Sequence, residues 1–500
     1  MKLISTTPTW DAAPPEVWQD WQIQRLRAYL KDRVLPFSAH YRRLFAEHDL
    51  HPEEIRTAED WAQVPFTTKS HLTVPREQQR EFVLIPDHQL LKREWGVIWD
   101  AVFHGPAHAR AALEREFRPV MMTSTTGRSS EPVPFVFTRH DLDHLDTTGR
   151  RLMEVGGSQR DWRHVSTFPY APHLAFWQTH HAGLGFGVFL VSTGGGKVMG
   201  TDGNINLIDK VRPEVLIGMP TFLYHLLREA VENGKHWPQL RRIVLGGEKV
   251  AEGMRARLTV LAHELGADEV HIISTYGFTE AKMALPECPT HEGVSASGFH
   301  ISPDLAMIEI INPQTGQPVP EGHAGEIVFT PLDARGTVVM RYRTGDIAEG
   351  GLTWTSCPHC GRRCPRLLGP ISRVSEVKEL HLDKIKGTLV NFNILEHLLD
   401  DMKGVAAWQV ELRKHDDDPL EVDELRLHVT PESGVNPEDL RHRLERRFAE
   451  VTELRPNEIL FHDIHELRDR LGVGRLLKEA KILDARPRGA PSVKTTALQA

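Results

Sequence analysis

Between Pro15 and Val34 the apolar residues Ile23, Leu26, Leu30 and Val34 recur on one face at helical spacing, with Trp18 and Trp21 beside them. The pattern predicts a helix over 15–34 and a second from near Ala39. Pro65-Phe66-Thr67-Thr68-Lys69 reads as a turn or strand end. From Val133 the texture alternates. Short apolar runs at 133–138, 188–192, 215–219, 242–245 and 270–274 read as strands. Amphipathic stretches such as Leu223, Leu226, Leu227 and Ala230 separate them. Apolar strands between amphipathic helices imply an α/β fold with a mainly parallel sheet covered on both faces. Past Met307, the runs 307–312 and 326–330 flank the turn-rich Asn312-Pro313-Gln314-Thr315-Gly316 and predict an antiparallel meander. Beyond Arg373, runs at 408–412 and 425–429 alternate as strands. Leu440, Leu444 and Phe448 mark a helix opening at Asn436-Pro437-Glu438-Asp439. That is a small α+β unit.

These textures divide the 500 residues into 1–371, 372–485 and a tail, 486–500, rich in Pro, Ala, Ser and Thr that reads as disordered. Hydrophobic content of 40% and charged content of 26% fit a soluble globular protein. The net charge of -8 leaves no electrostatic footprint for nucleic acid. The longest apolar stretch, 183–191, is too short to span a bilayer. Met1-Lys2-Leu3-Ile4-Ser5 turns polar at once, without a signal-peptide core. The expectation is a cytoplasmic protein with neither nucleic-acid nor membrane partners. Three of the four cysteines crowd between Cys357 and Cys364, which suits a metal better than disulfides.

Candidate chemistry is densest in Thr123-Ser124-Thr125-Thr126-Gly127-Arg128-Ser129-Ser130-Glu131-Pro132. Such a loop can wrap phosphate oxygens: glycine admits close backbone approach, hydroxyls and amides donate, and Arg128 adds positive charge. No lysine follows the glycine, so this is not the nucleotide loop ending in Gly-Lys-Ser/Thr. An ordinary surface turn has the same composition. Ligands on parallel sheets sit beyond the carboxyl ends of the strands. Gly246-Gly247-Glu248, Thr275-Tyr276-Gly277-Phe278-Thr279-Glu280 and the region after Ser192 stand at such ends. Cys357-Pro358-His359-Cys360 has zinc-knuckle spacing, and Cys288 lies upstream near His291 and His300. Thiolates with imidazole suit tetrahedral Zn²⁺.

The Thr123–Gly127 loop, Gly246-Gly247-Glu248, Tyr276-Gly277-Phe278-Thr279-Glu280 and Tyr342-Arg343-Thr344-Gly345-Asp346 occur in that order, with a lysine close to the C-terminus. The set resembles the adenylate-forming enzymes: acyl-CoA synthetases, peptide-synthetase adenylation domains and luciferases. Gln24-Arg25-Leu26, Tyr41-Arg42-Arg43, Pro65-Phe66-Thr67-Thr68-Lys69 and Cys360-Gly361-Arg362 make it most similar to the phenylacetate–CoA ligase group. The resemblance spans nearly the whole chain. It implies a large N-terminal domain and a small, mobile C-terminal domain hinged near Arg373–Glu376. It also implies two half-reactions. A carboxylic acid attacks the α-phosphate of MgATP, giving an acyl-adenylate and pyrophosphate; a thiol, usually coenzyme A, then displaces AMP.

By the same resemblance, Ser124, Thr125, Thr126 and Gly127 hold the β- and γ-phosphates. Glu280 ligates Mg²⁺, a hard cation that wants carboxylate oxygen. Tyr276 stacks near the adenine, Gly247 and Glu248 line its pocket, and Gly277 and Thr279 belong to the same nucleotide motif. Asp346 accepts both ribose hydroxyls, and Arg373 contacts the nucleotide at the domain junction. Thr126, Glu280 and Lys478 are the catalytic candidates, with Lys481 competing for the role of Lys478. A structural zinc is assigned to Cys288, His300, Cys357 and Cys360, with Cys364, His291 or His359 as substitutes. Phe168-Pro169-Tyr170, His173, Phe176, Trp177 and Phe186 suit an aromatic acid, or simply fill core. A homodimer is among the states the resemblance admits.

Three departures from the pattern stand out. Ser124 replaces the glycine usual in the phosphate loop. Ser372-Arg373-Val374-Ser375-Glu376 stands where Gly-Arg-x-Asp-Asp is expected. Leu477 stands where a glycine precedes the catalytic lysine. They keep open a different acceptor (a carrier-protein thiol, an amine or a hydroxyl) and an inactive zinc-stabilised scaffold.

Overall fold

The computed structural model describes residues 7–91, 95–125, 132–291, 294–373, 377–383, 386–415, 423–452, 455–473 and 479–486. Thr126, Gly127, the hinge residues Val374–Glu376, Lys478 and most of the Pro-rich tail therefore lie outside the described residues. The chain packs as two compact units. One comprises 1–250 with 258–372, the other 251–257 with the residues from Arg373 on.

The larger unit opens with helix Pro15–Tyr29, which continues through a π-helical turn, Leu30–Val34. Trp18, Trp21, Leu26, Leu30 and Val34 are buried, as the helical spacing predicts. After further helices, from Ala39–Glu47 to Pro106–Phe117, comes an antiparallel hairpin of β1 (Pro119–Ser124) and β2 (Pro134–Thr138). This corrects the sequence reading, which made the run from Val133 the first member of the parallel sheet. That place belongs to β3 (Arg163–Ser166). Its composition hides it: Arg163, His164 and Ser166 are polar in a strand whose last three residues are buried. His164 is satisfied there by Ser158 Oγ at 3.2 Å and the Trp162 carbonyl at 3.2 Å. Burial pushes its imidazole down to about 4.

Four strands follow β3: β4 (Phe189–Ser192), β5 (Val215–Gly218), β6 (Arg242–Leu245) and β7 (His271–Phe278). With β8 (Met283–Pro286) they form one sheet in the order β4-β3-β5-β6-β7-β8, parallel except for the β7–β8 pair. Helices Leu174–Phe186, Gly196–Val211 and Pro220–Glu232 make the first three crossovers. Val165, Leu216 and Ile243 stand in register across β3, β5 and β6 and are fully buried. Burial of such a branched side chain stabilises by about 1.5–3 kcal/mol, so the strands' apolar runs hold the sheet together.

Strand β9 (Phe299–His300) pairs with Arg366–Leu367 in a separate small sheet, whereas β10 (Ala306–Ile311), β11 (Gly325–Pro331) and β12 (Tyr342–Ala348) form the antiparallel meander, with Ile371–Arg373 as the fourth strand of its sheet. Asn312 closes the β10–β11 turn, its Oδ1 accepting the amides of Gln314 and Thr315 at 2.9 and 3.0 Å.

In the smaller unit a four-stranded sheet runs Glu458–Phe461, Asp423–Pro431, Val405–Lys414, Ile482–Asp484. Leu440, Leu444 and Phe448 of helix Pro437–Thr452 are fully buried among Trp408, Val410 and Leu427. This is the α+β unit that the alternating pattern predicts.

Candidate active site

The carboxyl ends of the parallel strands carry the polar turns. After β6 the chain passes through Gly246 and Gly247 to Glu248. A Cβ on Gly246 would lie 2.6 Å from Thr275 Oγ1, and Gly247 holds a φ of +81°. Only glycine meets both demands without strain. Glu248 then turns its carboxylate to the start of helix Pro220–Glu232, accepting from Thr221 Oγ1 at 2.7 Å and from the Thr221 amide at 3.3 Å. Satisfying an orphan amide where the helix dipole is positive fixes the turn.

β7 is longer than its apolar run suggests. Its distal half, Thr275–Phe278, leaves the parallel ladder and pairs with β8. Tyr276 and Gly277 are thus strand residues, not loop residues. A Cβ on Gly277 would meet Ala284 of β8 at 3.0 Å, so β8 packing accounts for this glycine. A single 3₁₀ turn, Thr279–Ala281, follows and presents Glu280. Lys282 anchors the far side. It is buried, with Nζ 3.0 Å from Asp141 Oδ2 and 2.7 Å from the Arg335 carbonyl. Burial pulls its ammonium below the usual lysine range, against the pull of Asp141.

In β12 the register slips between Val328–Arg343 and Glu326–Ile347, so that Thr344, Gly345 and Asp346 bulge out of the ladder. The bulge is tied from inside: Thr344 Oγ1 donates to the Ile327 carbonyl at 2.8 Å and accepts the Asp346 amide at 3.0 Å. Buried Glu326 accepts the Gly345 amide at 3.1 Å and Arg343 Nε at 3.0 Å. The start of β12 is braced by the Pro65–Lys69 motif. Thr67 donates its amide to the Arg341 carbonyl at 3.1 Å and accepts the Arg343 amide at 2.9 Å.

Two crossed hydrogen bonds join these segments. Tyr276 Oη donates to Asp346 Oδ2 at 2.9 Å, and Tyr342 Oη donates to Glu280 Oε1 at 2.8 Å. Each segment thus supplies a tyrosine and, four residues on, a carboxylate; each tyrosine holds the other segment's carboxylate. Glu280 and Asp346 are brought into one locality although 66 positions separate them in sequence. Tyr342 stood in the sequence motif without a role of its own, and neither it nor Lys282 was singled out. An Oη directed at a carboxylate across two sheets leaves no local signal.

The phosphate-loop candidates are placed in part. Ser124 and Thr125 close the neck of the β1–β2 hairpin. Thr125 donates its amide to the Val133 carbonyl at 3.1 Å, and its Oγ1 accepts the Val133 amide at 3.0 Å. Ser124 donates to the Pro172 carbonyl at 2.6 Å, and its own carbonyl lies 3.0 Å from His173 Nδ1. Arg373 is exposed at the end of strand Ile371–Arg373, where the second unit begins. The aromatic residues divide. Phe168, Phe176 and Phe186 pack in the parallel-sheet core, Trp177 joins the cluster around the N-terminal helices, and Tyr170 is exposed.

The cysteine cluster forms as one group. Ligating atoms of Cys288, His300, Cys357 and Cys360 all lie within 4.8 Å of one another. Cys288 and Cys357 Sγ are 3.6 Å apart, and Cys360 Sγ is 3.2 Å from His300 Nε2. At a Zn–S bond of about 2.3 Å, tetrahedral geometry asks for roughly 3.8 Å between sulfurs. His300 Nδ1 faces the Pro286 carbonyl at 3.1 Å, leaving Nε2 toward the thiols in the way metal-ligating imidazoles are held. The donor set fits zinc. Cys364 is buried outside the group, and His359 lies against the Ser295 carbonyl at 3.3 Å.

Residues 162–341 match the family described as AMP-binding enzyme. The chain is 28% identical over 355 residues to the phenylacetate–coenzyme A ligase of Thermus thermophilus, covering 71% of this chain and 68% of that one. It is 25% identical over 348 residues to the enzyme of the same name from Escherichia coli, covering 68% of each. In fold it superimposes on 2-hydroxyisobutyryl-CoA ligase in complex with an acyl-AMP, with a TM-score of 0.74 at 18% identity over 96% of this chain and 92% of that one. With the ordered motifs at the strand ends, the chain is thus similar to AMP-binding enzymes over 162–341 and to phenylacetate–coenzyme A ligases over about two thirds of its length, and it shares the fold of 2-hydroxyisobutyryl-CoA ligase.

Proposed function

We propose that this protein is an AMP-forming acid–thiol ligase. A carboxylate oxygen of the acid attacks the α-phosphorus of ATP and pyrophosphate leaves. The sulfur of coenzyme A then attacks the acyl carbon, losing its proton, and AMP leaves. The observation that carries the reading is the crossed Tyr276–Asp346 and Tyr342–Glu280 pair beside the Gly246-Gly247 turn. It holds two carboxylates, one on a 3₁₀ turn after β7 and one in the β12 bulge, at the end of a parallel sheet, where nucleotides bind. Asp346 would take the ribose hydroxyls with its two acceptor oxygens. Glu280 would ligate Mg²⁺, which spreads phosphate charge in the first step. Ser124, Thr125, Thr126 and Gly127 would hold the outer phosphates, Tyr276 would lie along the adenine, and Gly247 and Glu248 would wall its pocket. Arg373 would contact the nucleotide, and Lys478 would supply the catalytic ammonium. Cys288, His300, Cys357 and Cys360 would hold a structural Zn²⁺. The phenylacetate–CoA ligases among the relatives favour an aromatic or arylacetic acid as substrate.

Acid-dependent exchange of labelled pyrophosphate into ATP tests adenylation across a panel of aromatic and aliphatic acids, and AMP release on adding coenzyme A tests the acceptor. We expect exchange with arylacetic or benzoic acids and AMP release with coenzyme A. Exchange with no acid of the panel would remove the proposal.

Tyr342→Phe probes the crossed pair directly. Loss of one neutral-to-charged hydrogen bond costs about 1.5–3 kcal/mol where Glu280 needs its orientation. Exchange should fall about 10–100-fold, with the Mg²⁺ concentration for half-maximal rate rising several-fold. A change in unfolding midpoint with an unaltered Mg²⁺ requirement would mean that Tyr342 is structural only.

A further inference from the structure

Asp100, His104 and His108 follow one another at intervals of four residues. On an unbroken helix the first and last would stand about 12 Å apart along the axis, too far to share an ion. The chain breaks the helix between them. Helix Trp95–His104 ends at Gly105, whose φ is +91°, and helix Pro106–Phe117 begins at the next residue. This elbow returns His108 to the aspartate: its Nδ1 lies 3.0 Å from Asp100 Oδ1 and 3.1 Å from Oδ2. His104 Nδ1 lies 2.8 Å from the same Oδ1. Three donor atoms on two helices converge within 4.8 Å of one another.

We propose that this elbow is a binding site for a borderline divalent cation such as Zn²⁺, Co²⁺, Ni²⁺ or Cu²⁺, ligated by Asp100, His104 and His108. Two imidazoles and a carboxylate are the donor set such ions take; Mg²⁺ and Ca²⁺ want more oxygens. Tetrahedral bonds of about 2.0–2.1 Å call for roughly 3.3 Å between donors. Each imidazole, at 2.8 and 3.0 Å from the carboxylate, need draw back from it by only a few tenths of an ångström. Both histidines are more than half exposed, which leaves the remaining coordination positions to water.

A second group of the same composition shows what disqualifies a cluster. Asp333 lies 3.2 Å from His140 and 3.5 Å from His144, but its carboxylate also meets Arg25 at 2.6 Å and Arg335 at 3.1 Å. A dication there would face two fixed guanidinium charges. Among the described residues, the charge partners of Asp100 are the two imidazoles alone.

The test is equilibrium dialysis of the full chain against Zn²⁺ at neutral pH. Wild type, His104→Ala/His108→Ala and His140→Ala/His144→Ala are compared. The first double variant, on exposed positions, should bind the exchangeable equivalent at least tenfold more weakly. The second should match wild type. Equal Zn²⁺ uptake by His104→Ala/His108→Ala and wild type would overturn the site, as would the lack of an exchangeable equivalent in wild type. Fluorescence adds a local readout, because Trp99 adjoins Asp100 on the exposed face and stacks on Phe103 at 5.3 Å. Cu²⁺ in the elbow should quench Trp99, and Trp99→Phe should remove that quenching.

Discussion

Lys478→Ala is expected to lower acid-dependent pyrophosphate exchange by about 10²–10³-fold, the effect of removing a donor aimed at charge that develops in a transition state. Lys481→Ala is expected to leave exchange by the folded protein near wild type and to lower stability instead. Two lysines three positions apart compete for the role of an ammonium bridging the acid and the α-phosphate. Lys481 is committed elsewhere. Its Nζ lies 2.9 Å from Asp400 Oδ1 and 4.8 Å above the Trp408 ring, and Trp408 Nε1 donates to the same oxygen at 2.8 Å. Its side chain is only 21% exposed. Burial works against the charged form of Lys481, yet Asp400, with Glu479 and Glu396, more than offsets it and holds the lysine above its ordinary range. Swinging it toward a substrate would leave the Asp400 carboxylate enclosed without its cation. Breaking such a pair costs about 3 kcal/mol, which denaturant unfolding of the two variants would read. The opposite result, exchange lost in Lys481→Ala and kept in Lys478→Ala, would reverse the assignment.

Much of the architecture could be read from the chain because it rests on local patterns. The β4 to β7 strands are apolar runs between amphipathic helices, and the α+β unit alternates as a half-buried sheet must. What escaped the reading depends on partners distant in sequence. β3 is a buried strand of polar residues, satisfied by Ser158, Trp162 and its neighbours, so hydrophobicity does not mark it. β2 has the apolar composition of a parallel strand, yet it pairs backward with β1, since strand direction is not encoded in side-chain alternation. Gly277 belongs to a nucleotide motif, but the contact that demands a glycine is with Ala284. The crossed tyrosines show the same limit most clearly. Four-residue spacing in 276–280 and 342–346 is visible in sequence, but the exchange of partners between the two segments is a property of the packed sheets. The elbow at Gly105 is a further case, where the helical spacing of Asp100 and His108 argues against the contact that the turn creates.

Cys357→Ser is expected to be among the most destabilising single substitutions in the larger unit, by about 3–5 kcal/mol, with loss of one bound zinc per chain. The cluster draws together segments distant in sequence. Cys288 follows β8, His300 ends β9, and Cys357 with Cys360 occupies a tight turn closed by the Cys357 amide on the Arg362 carbonyl at 2.8 Å. Cys357 is at the middle of the group, in reach of Cys288 at 3.6 Å and Ser297 Oγ at 3.0 Å. Replacing it by serine leaves two thiols, one of them buried, and a buried imidazole without the thiolate that completes a four-coordinate shell. Structural zinc contributes about 10–16 kcal/mol of apparent binding free energy in peptides that have no other core. Here Phe299, Ile310, Ile327 and Phe329 belong to a large apolar core shared with the N-terminal helices. The loss should therefore show as a lower unfolding midpoint rather than as failure to fold. Elemental analysis would read the metal, and a chelator should lower the midpoint of wild type while leaving Cys357→Ser unchanged. Because the ligands must be deprotonated, the difference between the two proteins should shrink as pH falls and His300 and the thiolates take up protons in place of the metal. A wild-type protein that carries no zinc, and whose unfolding ignores the chelator, would show that the four side chains are packed as a buried thiol cluster and nothing more.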